Sequence, residues 1–151
     1  MPTFTGTQSR VFTVKATPEA AMELMSNPDA FRALLPDLDT LEQVEGEQWR
    51  FVLKEKSEKG VQFRGDYTVR YTTSGDTLTW TTTSHGNMTS QGRAVIRPVG
   101  AGAEIDYTET ITADMKVNRL LAKLIKPIVN REIANGVGGY LDRVKAHLDN
   151  A

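Results

Sequence analysis

Short stretches of β-branched and aromatic residues alternate with glycine-containing turns over most of the chain. Each stretch has the composition and length of a β-strand. The connections between them, such as Glu45-Gly46-Glu47 and Gly100-Ala101-Gly102, are short enough for hairpin turns in which glycine adopts positive φ. The pattern predicts a first strand at 10–15 and an antiparallel meander of six more strands at 40–45, 48–56, 61–73, 77–84, 88–97 and 103–113.

Two short helices are predicted between the first strand and the meander. Thr17-Pro18-Glu19 combines an N-cap residue, a proline at the first helical position and an acid in the first turn. Asn27-Pro28-Asp29 repeats this start signal, and Pro36 ends the second helix.

The chain after Asp114 has a helical pattern whose apolar face changes direction near Pro127. Before this proline, the apolar side carries Val117, Leu120, Leu121 and Leu124. After it, the apolar positions point roughly the opposite way: Ile133, Val137, Tyr140, Leu141, Val144 and Leu148. One straight helix cannot bury both faces against one sheet, and a proline removes a hydrogen bond and clashes with the preceding turn. We therefore predict a kink or break at Pro127.

Strand alternation separates an aromatic, apolar face of the sheet from a face of threonine and charge. In the last strand, Tyr107, Glu109 and Ile111 share the apolar face. This face needs a cover, and the C-terminal helix is the long one available. The sequence predicts one α+β domain over residues 1–151, in which a seven-stranded antiparallel curved sheet wraps around the long C-terminal helix and two short helices separate strands one and two.

Small residues on both predicted layers admit two interpretations. Glycines in the middle of a helix each cost about 1 kcal/mol relative to alanine, so they need a reason. The residues in question are Gly65, Ser90, Gly92 and Ala94 in the sheet and Gly136, Gly138 and Gly139 in the helix. They favour either an internal cavity or tight packing of helix on sheet.

Composition excludes several classes of function. The 151 residues are 39% hydrophobic and 25% charged and carry a net charge of −1, so no nucleic-acid footprint is present. Without cysteine, and with only His85 and His147, the chain has neither thiol chemistry nor a three-histidine metal site. No phosphate-binding glycine motif, export signal or membrane-length apolar run is visible. We expect a cytoplasmic protein that uses neither metal nor cofactor.

Several local motifs occur in an order that resembles a known superfamily. They are residues 11–19 with a helix to Met25, Asn27-Pro28-Asp29 with Phe31, Leu35-Pro36, and residues 140–145. Together they resemble the START-like helix-grip (SRPBCC) superfamily, which includes polyketide cyclase/dehydratase-like and lipid-transport proteins and a branch similar to an accessory protein of carbon monoxide dehydrogenase. The resemblance covers nearly the whole chain. It implies an internal cavity for a hydrophobic small molecule between sheet and helix.

Our first hypothesis is a protein that binds or transports a lipid-, quinone- or polyketide-like ligand. The many rings on the inner face and the few catalytic candidates favour it. The residues predicted to line the cavity are Trp49, Phe51, Leu53, Phe63, Tyr67, Trp80, Tyr107, Glu109, Ile133, Val137 and Tyr140.

The second hypothesis is a cyclase or dehydratase that uses Glu109 or His85 as an acid or base. A carboxylate on an apolar face has a raised pKa and can move protons or orient a ligand. The alternative for Glu109 is a structural ion pair, for instance with Arg10. His85 lies at a strand end, where it is either a general base near a cavity mouth or a solvated turn residue.

A basic stripe marks the start of the C-terminal helical region. It comprises Lys116, Arg119, Lys123 and Lys126, beside the leucines already named. Such a stripe either docks on an anionic membrane or a partner protein, or is the solvated face of an amphipathic helix.

Overall fold

The computed structural model describes residues 2–84 and 86–150, so His85 lies outside the described residues. The strands are β1 (Thr3–Val14), β2 (Leu38–Val44), β3 (Gln48–Leu53), β4 (Lys56–Glu58), β5 (Val61–Phe63), β6 (Asp66–Ser74), β7 (Thr77–Ser84), β8 (Met88–Val99) and β9 (Gly102–Asp114). The helices are α1 (Pro18–Ser26), α2 (Pro28–Phe31) with a following 3₁₀ turn (Arg32–Leu34), and α3 (Arg119–Asp149).

Seven strands form one antiparallel sheet in the order β1-β9-β8-β7-β6-β3-β2. The two short helices lie between β1 and β2 in the chain, and the long α3 follows the sheet. The predicted α+β fold class is therefore confirmed. Gly46, Gly75 and Gly100 adopt positive φ in the hairpin turns, as the turn sequences predict.

The predicted strands at 48–56 and 61–73 are each divided in two. After β3 the chain leaves the large sheet, and β4 and β5 pair only with each other in the described structure, with Lys56 opposite Phe63. Gly60, at φ 80°, lies in the turn between them. The chain rejoins the sheet at β6, where Leu53 N donates to Gly65 O at 2.8 Å. We call residues 56–63 the side hairpin.

β1 begins at Thr3, seven residues before the predicted start, and pairs with β9 along its whole length. The early part is hard to recognise because most of its side chains are polar on both faces. Its outer face bonds to β9 through hydroxyl pairs, such as Thr7 with Thr110 at 2.9 Å.

Both short helices begin at the predicted caps. The hydroxyl of Thr17 accepts from Ala20 N at 3.2 Å, and the Asn27 side chain accepts from Asp29 N at 3.1 Å. These helices contribute buried side chains to the core, including Leu24 and Phe31, so α3 is not the only cover of the sheet.

α3 starts at Arg119, because Asn118 caps it by accepting from Leu121 N at 2.8 Å. The segment just after Asp114 is therefore not helical, contrary to the prediction. The helix then runs without interruption to Asp149 with Pro127 inside it, so the predicted break is absent. The helix needs no break because its two halves pack against different surfaces, and the change of apolar direction is accommodated by the partners.

Two hydrophobic clusters receive the two halves of α3. The second half contributes Val137, Tyr140, Leu141, Val144 and Leu148 to the main core under the sheet. The first half contributes Ile125 to a smaller cluster with Phe4 of β1 and Met115, and residues of the side hairpin pack beside it. Among the described residues, no helix is long and apolar enough to span a bilayer.

Candidate functional site

A cavity of about 520 Å³ lies between the apolar face of the sheet, the side hairpin and α3. This size is within the range of about 300–1,000 Å³ that is usual for small-molecule sites. Of the eleven residues predicted from the sequence, ten line it: Phe51, Leu53, Phe63, Tyr67, Trp80, Tyr107, Glu109, Ile133, Val137 and Tyr140. Their role in binding stays a prediction.

Trp49 is the predicted lining residue that the cavity does not include. It shares a strand face with Phe51, but it lies at the other end of β3, in a separate pocket with Asn27, Gln43 and Tyr71. Alternation along a strand gives the face on which a side chain lies, and the position along the strand decides what it meets.

Five aromatic rings form a closed circuit at the inner end of the cavity. Phe31 contacts Tyr71 and Tyr140 with ring centroids 6.0 and 5.6 Å apart, and Tyr107 lies 6.2 Å from Tyr140. Trp80 closes the circuit at 6.0 Å from Tyr71 and 5.3 Å from Tyr107. Such ring pairs are favourable beyond the area that they bury. The cavity therefore has a rigid aromatic wall.

Glu109 is the acidic group within this wall. Its Oε2 accepts a hydrogen bond from the hydroxyl of Ser90 and its Oε1 one from Tyr107, both at 2.6 Å. Ser90 in turn accepts from Trp80 Nε1 at 3.1 Å. Burial raises the pKa of Glu109 above its ordinary value, and the hydrogen bonds from Ser90 and Tyr107 oppose the rise. The protonated acid is thereby favoured relative to a carboxyl group in water.

The predicted ion pair between Glu109 and Arg10 is wrong. In the register of β1 and β9, Gln8 lies opposite Glu109 and Arg10 lies opposite Tyr107. The Arg10 guanidinium instead reaches α3, where Nη1 lies 2.7 Å from Asp142 Oδ1. Glu109 is therefore held by neutral hydroxyl donors and not by a cation.

Three further tyrosines present hydroxyl groups at the cavity: Tyr67, Tyr71 and Tyr140. Burial raises the pKa of each phenol well above its usual range, and the negative charge of Glu109 adds to the rise. These phenols therefore stay neutral. Within residues 2–84 and 86–150, no side chain or backbone group hydrogen-bonds to their hydroxyls, which leaves them free for a ligand.

Lys56 of the side hairpin joins three elements at the rim of the cavity. Its Nζ lies 3.0 Å from Asp37 Oδ2, before β2, and 2.9 Å from Glu132 Oε2 on α3. All three residues line the cavity and remain partly accessible to solvent. They form a charged clasp across the entrance, which we call the Lys56 clasp.

Sequence reasoning missed Phe31, Tyr71 and Ser90 as a connected group. Tyr71 shares the alternation of Tyr67, so its face was predictable, and Ser90 is one of the small residues of the inner face. Their contacts depend on strand register and on the placement of α2, which no local pattern specifies. The metal-site expectation has a geometric counterpart: no group of three His, Cys, Asp or Glu side chains comes together among the described residues.

The basic stripe is also partly rearranged. Arg119, Lys123 and Lys126 lie on α3 and are exposed, whereas Lys116 lies in the segment before the helix and is exposed too.

The family model described as polyketide cyclase / dehydrase and lipid transport matches residues 3–149. Among solved structures, the aromatase/cyclase Zhui from Streptomyces sp. R1128 is 10% identical with a TM-score of 0.71, over 97% of this chain and 94% of that chain. A START superfamily protein from Mycobacterium smegmatis is 12% identical with a TM-score of 0.67, over 95% and 97% of the two chains. No functionally curated protein matches the sequence. At these identities, the structural likeness concerns the fold alone.

Proposed function

Because the chain belongs to the polyketide cyclase / dehydrase and lipid transport family, we propose that it binds a small, uncharged hydrophobic molecule in the cavity described above. The observation that carries the proposal is the position of Glu109. It is a single hydrogen-bonded acid in an aromatic wall, beside three tyrosine hydroxyls that have no protein partner in the described structure.

The chemistry of the wall favours a ligand with an apolar body and an oxygen at one end. Rings such as Trp80 and Phe31 present flat apolar surface. A hydroxyl or carbonyl group at the inner end would hydrogen-bond to Glu109 or to Tyr67 and Tyr140, and these contacts would fix its orientation. Lipid-, quinone- and polyketide-like molecules all satisfy this description.

Native mass spectrometry of the purified protein, followed by solvent extraction, tests the proposal directly. A co-purifying neutral hydrophobic molecule is the expected result. The protein freed of ligand should also bind the neutral fluorescent probe N-phenyl-1-naphthylamine in a saturable way. Leu53→Trp, which fills the cavity, should weaken probe binding at least about tenfold, or about 1.4 kcal/mol. Trp49→Phe, outside the cavity, should not weaken it. An empty spectrum together with no saturable probe binding would refute the proposal.

A cyclase or dehydratase is the second candidate, and the raised pKa of Glu109 favours it. A neutral carboxylic acid in a water-poor site donates a proton to a leaving hydroxyl or a developing enolate. Its contact with Tyr107 would keep the acid oriented. His85, the other candidate, lies outside the described residues.

The two candidates differ in what Glu109→Gln does. An enzyme should lose turnover of a β-hydroxy ketone or poly-β-ketone thioester by about 10²–10⁴-fold while it still binds the substrate, because general acid catalysis contributes that much. A carrier should show no turnover above background and a change in affinity only. His85→Ala in parallel assigns the role to one of the two residues.

A further inference from the structure

Two leucines near the start of α3 are exposed side by side. Leu120 is 81% exposed and Leu124, one helical turn later, is 59% exposed. Leu121 and Ile125 occupy the side of the same helix that turns toward the second hydrophobic cluster. The exposed pair is therefore the part of the first apolar face that packing against the protein leaves uncovered.

Cations surround this pair. Residues 115–131 contain five basic side chains and no acid: Lys116, Arg119, Lys123, Lys126 and Arg131. All five are exposed, and none forms an ion pair with another residue that the structure describes. The first turn of α3 carries Arg119 and no acid, which opposes the preference of a helix N-terminus for negative charge. Folding alone would not favour this arrangement.

The exposed leucines continue into the cavity. Residues four apart on a helix are neighbours, so Leu120, Leu124, Ile128 and Glu132 form one row along α3. The first two are exposed, whereas Ile128 and Glu132 line the cavity and Glu132 belongs to the Lys56 clasp. An apolar path therefore leads from the surface to the cavity entrance.

We propose that residues 116–131 form a docking surface for an anionic lipid bilayer. An amphipathic helix with leucines on one side and lysine or arginine around them lies in the membrane interface, where the leucines enter the acyl boundary and the cations meet the headgroups. A protein interface of comparable strength would have a larger apolar area with aromatic anchors, which this helix surface does not offer.

Docking in this orientation brings the cavity entrance to the bilayer. A hydrophobic ligand would then pass between membrane and cavity along the row from Leu120 to Ile128 without crossing water. This consequence rests on the proposed ligand-binding function, whereas the docking itself does not.

Vesicle co-sedimentation of the full chain tests the docking. We expect binding to phosphatidylcholine vesicles that contain phosphatidylglycerol, weaker binding as salt increases, and little binding to phosphatidylcholine alone. Arg119→Gln and Lys123→Gln should each lower the partition coefficient about fivefold, since each cation near an anionic surface contributes about that much. Leu120→Ser with Leu124→Ser should lower it at least as much at both low and high salt.

Matched controls come from exposed residues elsewhere. Val11 and Val99, 60% and 48% exposed, and Arg93 lie on the sheet, so Val11→Ser with Val99→Ser, and Arg93→Gln, should leave vesicle binding unchanged. Absence of binding to anionic vesicles, or equal losses in the control variants, would overturn the docking proposal. Association of the chain with itself through this face, without vesicle binding, would overturn it as well. Ligand binding measured without vesicles would remain as a separate result.

Discussion

The hydroxyl of Tyr107 donates a 2.6 Å hydrogen bond to Oε1 of Glu109, two residues along the same strand. The two side chains meet because strand alternation places them on the same face of β9. Ser90, on the neighbouring β8, supplies the second donor. The acid is thus oriented by groups that carry no charge, and its protonation responds to burial first.

The stability of the protein should fall with rising pH because of Glu109. Its pKa is raised in the folded state above the ordinary value of 4.5, so its contribution is complete below about pH 4.5 and is lost as the pH rises toward the folded-state pKa. Glu109→Gln removes this loss. The free energy of unfolding of the variant relative to the wild type should therefore increase with pH above 4.5, measured by urea denaturation at a series of pH values.

Tyr107→Phe provides the partner experiment. It removes a hydrogen bond that lowers the pKa of Glu109, so the loss of stability should extend to higher pH than in the wild type. Parallel stability profiles for the wild type and Glu109→Gln would show that the acid is not desolvated in solution.

Breaking the Lys56 clasp should speed the exchange of a bound probe more than it affects folding. Lys56→Met removes both contacts, to Asp37 and Glu132, so the side hairpin separates more easily from α3. The dissociation rate of N-phenyl-1-naphthylamine, measured by stopped flow, should rise several-fold. The free energy of unfolding should fall by no more than about 1 kcal/mol, since partly exposed ion pairs contribute little.

Arg64→Met is the matched control for the clasp. Arg64 pairs with Asp39 at 2.7 Å with similar exposure, and neither residue lines the cavity. An equal change in dissociation rate in both variants would argue against a clasp at the entrance.

Gly136→Ala should stabilise the protein. The added methyl group meets no atom within 4 Å, and alanine is favoured over glycine inside a helix by about 1 kcal/mol. The melting temperature, followed by circular dichroism, should rise by about 2–4 °C for a chain of this size. A decrease would mean that the helix is distorted at this glycine.

Gly92→Ala should have the opposite effect. Gly92 lies opposite Trp80 in the sheet, and a Cβ there would collide with the Trp80 ring and with the carbonyl oxygen of Thr108. We expect a loss of about 1–3 kcal/mol, typical of overpacking. In a Trp49→Phe background, the fluorescence of the remaining Trp80 should also shift, because its hydrogen bond to Ser90 is disturbed.

The architecture was predictable because its signals are local. Alternation within each strand, turn glycines such as Gly75 and Gly100, and the caps Thr17 and Asn27 each specify structure within a few residues. The departure of the side hairpin was not predictable, because strand propensity does not say which strand will be the partner.

The candidate site shows the same division between local and distant information. The common face of Tyr107 and Glu109 follows from spacing along one strand. The contact of Glu109 with Ser90 depends on the register of β8 against β9, and the contacts of Phe31 depend on how α2 packs on the sheet. The error at Arg10 has a similar origin, since its partner Asp142 lies on α3, far away in sequence.

The side hairpin has its own two-stranded ladder, with a turn at Lys59 and Gly60 that lies away from the large sheet. Residues can therefore be inserted or removed at this turn without shifting any pairing of the seven main strands. The volume and the entrance of the cavity can change in this way while the stability of the scaffold is retained. Related chains can thus diverge in the molecules that they accept by remodelling a single hairpin, and a designer can use the same position to enlarge or narrow the site.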